Sequence, residues 1–306
     1  MARRFTVLIA CLLVVAATIG GPARPVGATF PGTNGVIAFV RSVAGGGQIY
    51  LVGPNGAGEV QLTRGVANGD PSWSPDGSRI AFASRGSIYT VGSDGTGLLR
   101  VTTGGGDEDP TWSPDGARIA FTSRRGGNQD IYVIASAGGA ATRLTRSRSP
   151  DQEPAWSPDG SKIAFSSRRD GNWDIDTVKP DGTGTRRLTH TRATEGYPAW
   201  SPNDRRIAFY RKTGAAVDIY DMSATGGAVR RLTTHLANDY DPVWSPDGSK
   251  IAFVSDRDGV PRIFVLSIGS ERPPQAISSD RGGSDYPDWQ PVPSPAPPSP
   301  PPPRPS

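Results

Sequence analysis

The stretch that decides the fold is Asp109-Pro110-Thr111-Trp112-Ser113-Pro114-Asp115-Gly116-Ala117-Arg118-Ile119-Ala120-Phe121. Its Ser-Pro-Asp-Gly centre reads as a turn: Pro presets φ at one corner, Asp can bond back to the backbone, and Gly accepts positive φ. The Pro-x-Trp run before it and the Ile-Ala-Phe run after it read as short strands. The same text returns as WSPDGSRIAF from Trp73, WSPDGSKIAF from Trp156, WSPNDRRIAF from Trp200 and WSPDGSKIAF from Trp244. Six tryptophans, at 73, 112, 156, 200, 244 and 289, are separated by 39, 44, 44, 44 and 45 residues. Ile-Ala-Phe begins at Ile37, Ile80, Ile119, Ile163, Ile207 and Ile251.

Working outward, each unit carries two further landmarks. An apolar pair follows at Ile49-Tyr50, Ile88-Tyr89, Ile131-Tyr132, Ile175-Asp176, Ile219-Tyr220 and Ile263-Phe264. Each unit then closes on Leu62-Thr63, Val101-Thr102, Leu144-Thr145, Leu188-Thr189, Leu232-Thr233 or Ile277-Ser278. Four short strands in a repeat of about 40–45 residues make the blade of a β-propeller, whose ring leaves no long sheet edge open. The fold expected is therefore all-β, a six-bladed β-propeller of four-stranded blades over residues 29–290. The first unit lacks a preceding Trp strand, and the last Trp strand, Tyr286-Pro287-Asp288-Trp289, lacks a following Ile-Ala-Phe. Residues 285–290 are thus expected to close the ring as the innermost strand of the first blade.

The motif Pro-x-Trp-Ser-Pro-Asp-Gly-x-x-Ile-Ala-Phe, followed by Ile-Tyr and Leu-Thr, resembles the WD40-like (PD40) repeats of the TolB propeller family, over about residues 34–290. The resemblance implies a six-bladed ring, a periplasmic or cell-envelope setting and binding of an envelope protein. In that family an α/β domain precedes the propeller. Here the repeat begins about nine residues after the expected signal cleavage site, so that domain is not expected.

The two ends read as something other than fold. Residues 1–28 have a charged start (Arg3, Arg4), an apolar run from Phe5 to Ile19 and small residues at Val26-Gly27-Ala28, the pattern of an export signal cleaved after Ala28. The lone Cys11 lies inside the apolar run, where Leu8-Ile9-Ala10-Cys11 also resembles a lipoprotein box, so lipidation and a retained anchor are the alternatives to cleavage. From Pro291 to Ser306, ten of sixteen residues are Pro, which favours an extended polyproline tail or spacer over a packed core. Once the signal is cleaved, no membrane span is expected, and the product should be a monomer that is periplasmic, wall-associated or secreted.

Charge and composition exclude several functions. Of 33 basic side chains, Arg3, Arg4, Arg24 and Arg304 lie in the two ends, so 29 basic face 29 acidic between Thr29 and Gln290. A neutral ring carries no electrostatic footprint for nucleic acid. One Cys and two His cannot build a Cys/His zinc site. There is no Gly-x-Ser-x-Gly elbow, P-loop or His-Glu-x-x-His, so no catalytic residue is assigned. His190 and His235 follow the Leu-Thr landmark and read as surface groups on the outer rim.

One constellation stands out. Five residues before each repeat Trp stand Asn68, Asp107, Asp151, Glu195, Asp239 and Ser284; three before it stand Asp70, Asp109, Glu153, Tyr197, Asp241 and Tyr286. Both sets precede the innermost strand and are expected to gather at one channel mouth. There the acids Asp70, Asp107, Asp109, Asp151, Glu153, Glu195, Asp239 and Asp241 would receive a basic peptide or hold calcium. The alternative is that each acid caps backbone N–H groups within its own blade. Trp173, in a turn, with Tyr197 and Tyr286 in place of acids, breaks the symmetry as a partner contact would. The reading is a non-enzymatic, exported protein-interaction platform without a resident cofactor. The alternative is a small-molecule, glycan or metal-binding propeller with lyase or hydrolase chemistry at the channel.

Overall fold

The computed structural model describes residues 30–293; the expected signal peptide, Cys11 and the proline-rich segment beyond residue 293 lie outside the described residues. Six four-stranded antiparallel sheets form the ring. Their innermost strands are β4 (Asn68–Trp73), β8 (Asp107–Trp112), β12 (Asp151–Trp156), β16 (Thr194–Trp200), β20 (Asp239–Trp244) and β24 (Ser284–Val292). In the first blade β24 lies beside β1 (Thr33–Val43), followed by β2 (Gly46–Val52) and β3 (Val60–Gln61). The expected clasp is therefore present, with Ile37 opposite Trp289 and Thr33 opposite Val292. The strand runs past residue 290 through Pro291 and Val292, so the first two residues of the proline-rich segment belong to the ladder.

The repeat landmarks map onto packing. Each Ile-Ala-Phe run is buried at every position, because blades stack against both faces of the second strand. The buried clusters accordingly straddle neighbouring blades: Leu144 and Ile131 of the third blade pack with Trp156 and Phe165 of the fourth. The Leu-Thr landmark has a hydrogen-bonding reason. The Thr145 hydroxyl accepts the Ile131 N–H at 3.0 Å, and Thr63, Thr102, Thr189, Thr233 and Ser278 do the same in the other blades. The glycine of the outer turn meets that landmark across the seam. A Cβ on Gly182, whose φ is +81°, would lie 3.1 Å from the carbonyl oxygen of Leu144 in the preceding blade.

Two departures from the repeat are accounted for locally. The 39-residue spacing between Trp73 and Trp112 arises mainly because β5 (Arg79–Ser84) and β6 (Ser87–Gly92) are joined by only Arg85-Gly86, with one residue fewer in the loop after Thr102. Both residues have positive φ, as the tightest hairpins require. At Ser201-Pro202-Asn203-Asp204, Asp204 takes the glycine position at φ 58°.

Candidate functional site

Every innermost strand breaks its ladder at the same place. The register with the second strand shifts between Glu108 and Thr111, and at the equivalent points of the other blades. The two residues skipped in blade 3 are Asp109 and Pro110. Each innermost strand is an edge of its sheet, and its proline, which cannot donate to the ladder, stands at the bulge. The residue before it adopts left-handed φ in all six blades: Asp70 52°, Asp109 53°, Glu153 57°, Tyr197 51°, Asp241 50° and Tyr286 53°. A non-glycine residue pays roughly 1–2 kcal/mol for that conformation. Six such residues at one level are the most concentrated strain among the described residues.

The bulge turns these six side chains into the central channel, which three layers line. The first holds the four acids Asp70, Asp109, Glu153 and Asp241 with Tyr197 and Tyr286; the second is six prolines. The third holds Ser72, Thr111, Ala155, Ala199, Val243 and Asp288. Phe30 also lines the cavity, at the side of the Trp112 and Trp156 clusters. The cavity is about 170 Å³, room for the end of one long side chain rather than for a folded element.

The ring acids stitch one blade to the next. Glu153 accepts the Tyr197 N–H at 2.8 Å, Asp70 accepts that of Asp109 at 3.4 Å, and Asp241 accepts that of Tyr286. Asp109 accepts the Thr122 hydroxyl at 2.9 Å. The three N–H bonds cross blade boundaries, unlike capping within one blade, whereas the Thr122 hydroxyl belongs to the same blade as Asp109. No Lys or Arg pairs with any of the four acids among the described residues. Burial, with mutual repulsion, therefore raises their proton affinity. Asp70 is pushed up to about 6, and Asp109 and Asp241 lie well above the ordinary carboxylate range. Glu153 is raised too, less because Ser166, Tyr197 and Gln152 hydrogen-bond to it. Tyr197 and Tyr286 stand 6.0 Å apart, centroid to centroid, flanking Asp241 of the intervening blade. The same burial among acids holds both phenols in the neutral form.

The other half of the expected acidic ring is elsewhere. Asp107, Asp151, Glu195 and Asp239 do not line the cavity; each is buried inside its own blade against an arginine. Arg125 meets Asp107 at 2.8 Å, Arg169 meets Asp151 at 3.2 Å, Arg211 meets Glu195 at 2.7 Å and Arg257 meets Asp239 at 3.0 Å. The guanidinium then stacks on the blade's aromatic pair, as Arg257 does at 4.7 Å from Phe264 and Arg211 at 4.7 Å from Tyr220. The physical reason is the period of two along a strand, interrupted by the bulge. A position two residues before the bulged one is still paired in the ladder and keeps its side chain within the blade, as Asp107 does against Ser123 and Arg125, so the two acidic sets never share a mouth. The arginines of the hairpins after Ile-Ala-Phe divide likewise: Arg85, Arg124 and Arg168 are exposed, while Arg257 is drawn in to Asp239.

The remaining expectations place as follows. Trp173 is half-buried in the hairpin of blade 4, outside the channel, with its carbonyl accepting the Glu195 N–H. His190 and His235 are exposed. Asp176 is buried beside Arg169, at 3.3 Å, where other blades carry an aromatic ring. Among the described residues no three Asp, Glu, His or Cys side chains converge as a metal ion requires, so a channel calcium would need the ring acids to move inward. Sequence reading missed Asp288, which takes the Trp73 N–H at 2.6 Å and is pushed up to about 7 by burial. It also missed the role of the prolines. Pro71, Pro110, Pro154, Pro198, Pro242 and Pro287, each two residues before a repeat Trp, were the available signal for a bulge.

A family model described as the TolB beta propeller domain matches residues 105–196 and 190–292. Among solved structures, TolB from Acinetobacter baumannii superposes with a TM-score of 0.72 at 21% identity, over 84% of this chain and 67% of that one. A putative TolB from Agrobacterium tumefaciens gives 0.69 at 24% identity, over 83% of this chain and 91% of that one. Hydrazine synthase from Kuenenia stuttgartiensis gives 0.74 at 17% identity, over 90% of this chain but only 50% of that one. At these identities what is shared is the fold. No curated protein matches the sequence.

Proposed function

The chain belongs to the TolB β-propeller domain family, and from that premise we propose that it is an exported, non-enzymatic platform that binds a protein partner in the cell envelope. The binding element is the channel mouth, which takes a basic side chain or the basic end of a partner's peptide. One observation carries the reading: four buried carboxylates converge on one cavity, on strained backbone, with no cation of their own. Such a site is held ready for positive charge, and the two tyrosines offer ring faces to a cation. The prolines and inter-blade bonds keep the mouth rigid, so little ordering cost falls on binding. Like carboxylates without a nucleophile or a base of contrasting character suit binding better than bond chemistry.

The direct test titrates a labelled Lys/Arg-rich peptide against residues 29–306 and against the double variant Asp109→Asn with Asp241→Asn. Binding should weaken by about tenfold or more in the variant, since charge-assisted bonds contribute roughly 1.5–3 kcal/mol each. Equal binding by both proteins would remove the channel from the interaction.

The proton should compete with this ligand. Asp70 near 6, with Asp109 and Asp241 also well above the ordinary carboxylate range, holds protons that a cation must displace. Affinity is therefore expected to rise from about pH 5 to about pH 8, with protons released on binding. Calorimetry in buffers of different ionisation enthalpy measures that release, and a pH-independent affinity would contradict it.

A further inference from the structure

The face on which the innermost strands begin carries the acidic mouth, and it also carries a second, separate feature. Loops after the outermost strands and hairpins between the second and third strands both reach this face. Over blades 3 to 5 they present Arg146, Arg148, Arg168 and Arg192, all exposed and none in an ion pair among the described residues. Hydrogen bonds fix their order. Asn128 of the blade-3 hairpin donates to the Ser147 carbonyl at 3.1 Å, holding the Arg146–Arg148 loop. The Arg168 N–H donates to Pro150 at 3.0 Å, placing the blade-4 hairpin against the end of that loop. Asn172 in the same hairpin donates to Thr191 and Ala193 at 3.1 and 2.9 Å, which bracket Arg192, and Trp173 lies beside them. The exposed acids nearby are engaged: Asp170 with Arg187 at 2.8 Å, and Glu108 with Gln129 at 2.7 Å.

The result is a rigid cationic arc with Trp173 within it, denser over blades 3 to 5 than elsewhere on the rim, where Arg64 and Arg85 stand exposed and farther apart. Across the ring, over blades 6 and 1, Asp256, Asp258 and Asp280 interleave with Arg281. At its outer end the arc opens into a cleft of about 540 Å³ at the seam of blades 3 and 4, lined by Arg146, Arg169, Thr145, Ser147 and Thr185, with Asp181 at its far side.

We infer that this arc docks an acidic, extended segment of a partner protein, with Trp173 as its apolar anchor. Guanidinium groups match carboxylates in bidentate geometry, and a half-buried tryptophan on a rigid hairpin is a typical interface hot spot. The clustering favours a strip over a flat surface, because a flat anionic surface would also meet the exposed acids Asp258 and Asp280 of the opposite rim. The arc is independent of the channel, and the two can be tested apart.

The probe is a short fluorescein-labelled Glu-rich peptide with one Phe, titrated at an ionic strength of about 0.15 M against residues 29–306. Wild-type protein should bind it. The variant Arg148→Gln, Arg168→Gln, Arg192→Gln should lose about tenfold in affinity, and Trp173→Ala a comparable amount. The matched variant on the opposite rim, Arg64→Gln, Arg85→Gln, Arg281→Gln, should bind normally, as should the Asp109→Asn/Asp241→Asn channel variant. Unaltered melting curves would show that the exposed substitutions leave the fold intact. No binding, or equal losses in the two arginine variants, would overturn the inference. So would arc-dependent binding of phosphatidylglycerol vesicles stronger than that of the peptide, which would assign the arc to a membrane surface.

Discussion

Removal of residues 284–306 is expected to abolish the cooperative thermal transition, whereas removal of residues 294–306 should leave it in place. The first truncation takes away the whole of β24. That strand pairs with β1 from Ser284 opposite Arg41 to Val292 opposite Thr33. It also supplies Trp289, 3% exposed, to the cluster joining the first and last blades, and Asp288 to the Trp73 N–H. Loss of a buried tryptophan alone costs about 3–5 kcal/mol. Loss of the ladder and of ring closure adds to it, against a total stability of roughly 5–15 kcal/mol for a domain. The shorter truncation touches no described contact. Circular dichroism melts of both proteins decide the matter. Similar melting of the two would mean that the ring does not depend on its clasp.

The second large effect concerns the acids that do not face the channel. Replacement of Asp107, Asp151 and Asp239 by Asn is expected to destabilise the protein severely, and Asp239→Asn should be the most damaging single change. Each carboxylate is buried and pinned under an arginine whose side chain is itself largely covered, 12% exposed for Arg257 against 28% and 29% for Arg125 and Arg169. Removing one partner of a buried pair leaves the other charge uncompensated, at about 3–5 kcal/mol when burial is complete and less where water reaches the guanidinium. The aromatic stacking beneath the arginine would be disturbed as well. The channel pair Asp109→Asn/Asp241→Asn should behave oppositely. Those groups lack a cationic partner, so a neutral amide that still accepts the Thr122 hydroxyl or the Tyr286 N–H costs little. Chemical denaturation of both variants separates the roles; equal losses would make the channel acids structural too.

The contrast between the two acidic sets marks how far the sequence reaches. The blade count, the four strands per blade, the turn chemistry and the closure by Trp289 are all local or periodic. Trp-Ser-Pro-Asp-Gly and Ile-Ala-Phe encode turns and two-faced burial within a few residues, and repetition multiplies the signal. The acids three and five residues before each Trp look alike in one dimension. Their fates separate at the bulge, where Pro110 and its five counterparts interrupt the ladder and turn one acid inward while the other stays inside its own blade under an arginine. Asp288 was hidden for a related reason: its counterparts are Ser, Thr, Ala, Ala and Val, so no pattern drew attention to it.

What the sequence by itself determined is therefore the ring: its class, its six blades and its clasp. Only the tertiary structure decided which charges are neutralised. Asp107, Asp151, Glu195 and Asp239 find arginines within their blades, while Asp70, Asp109, Glu153 and Asp241 find only one another. Among the described residues Arg146, Arg148, Arg168 and Arg192 stand exposed and in no ion pair. The physical reason is that ion pairing depends on distances of a few ångströms across blade seams and a closed channel. Those distances are set by how six repeats pack around an axis, which no single repeat contains.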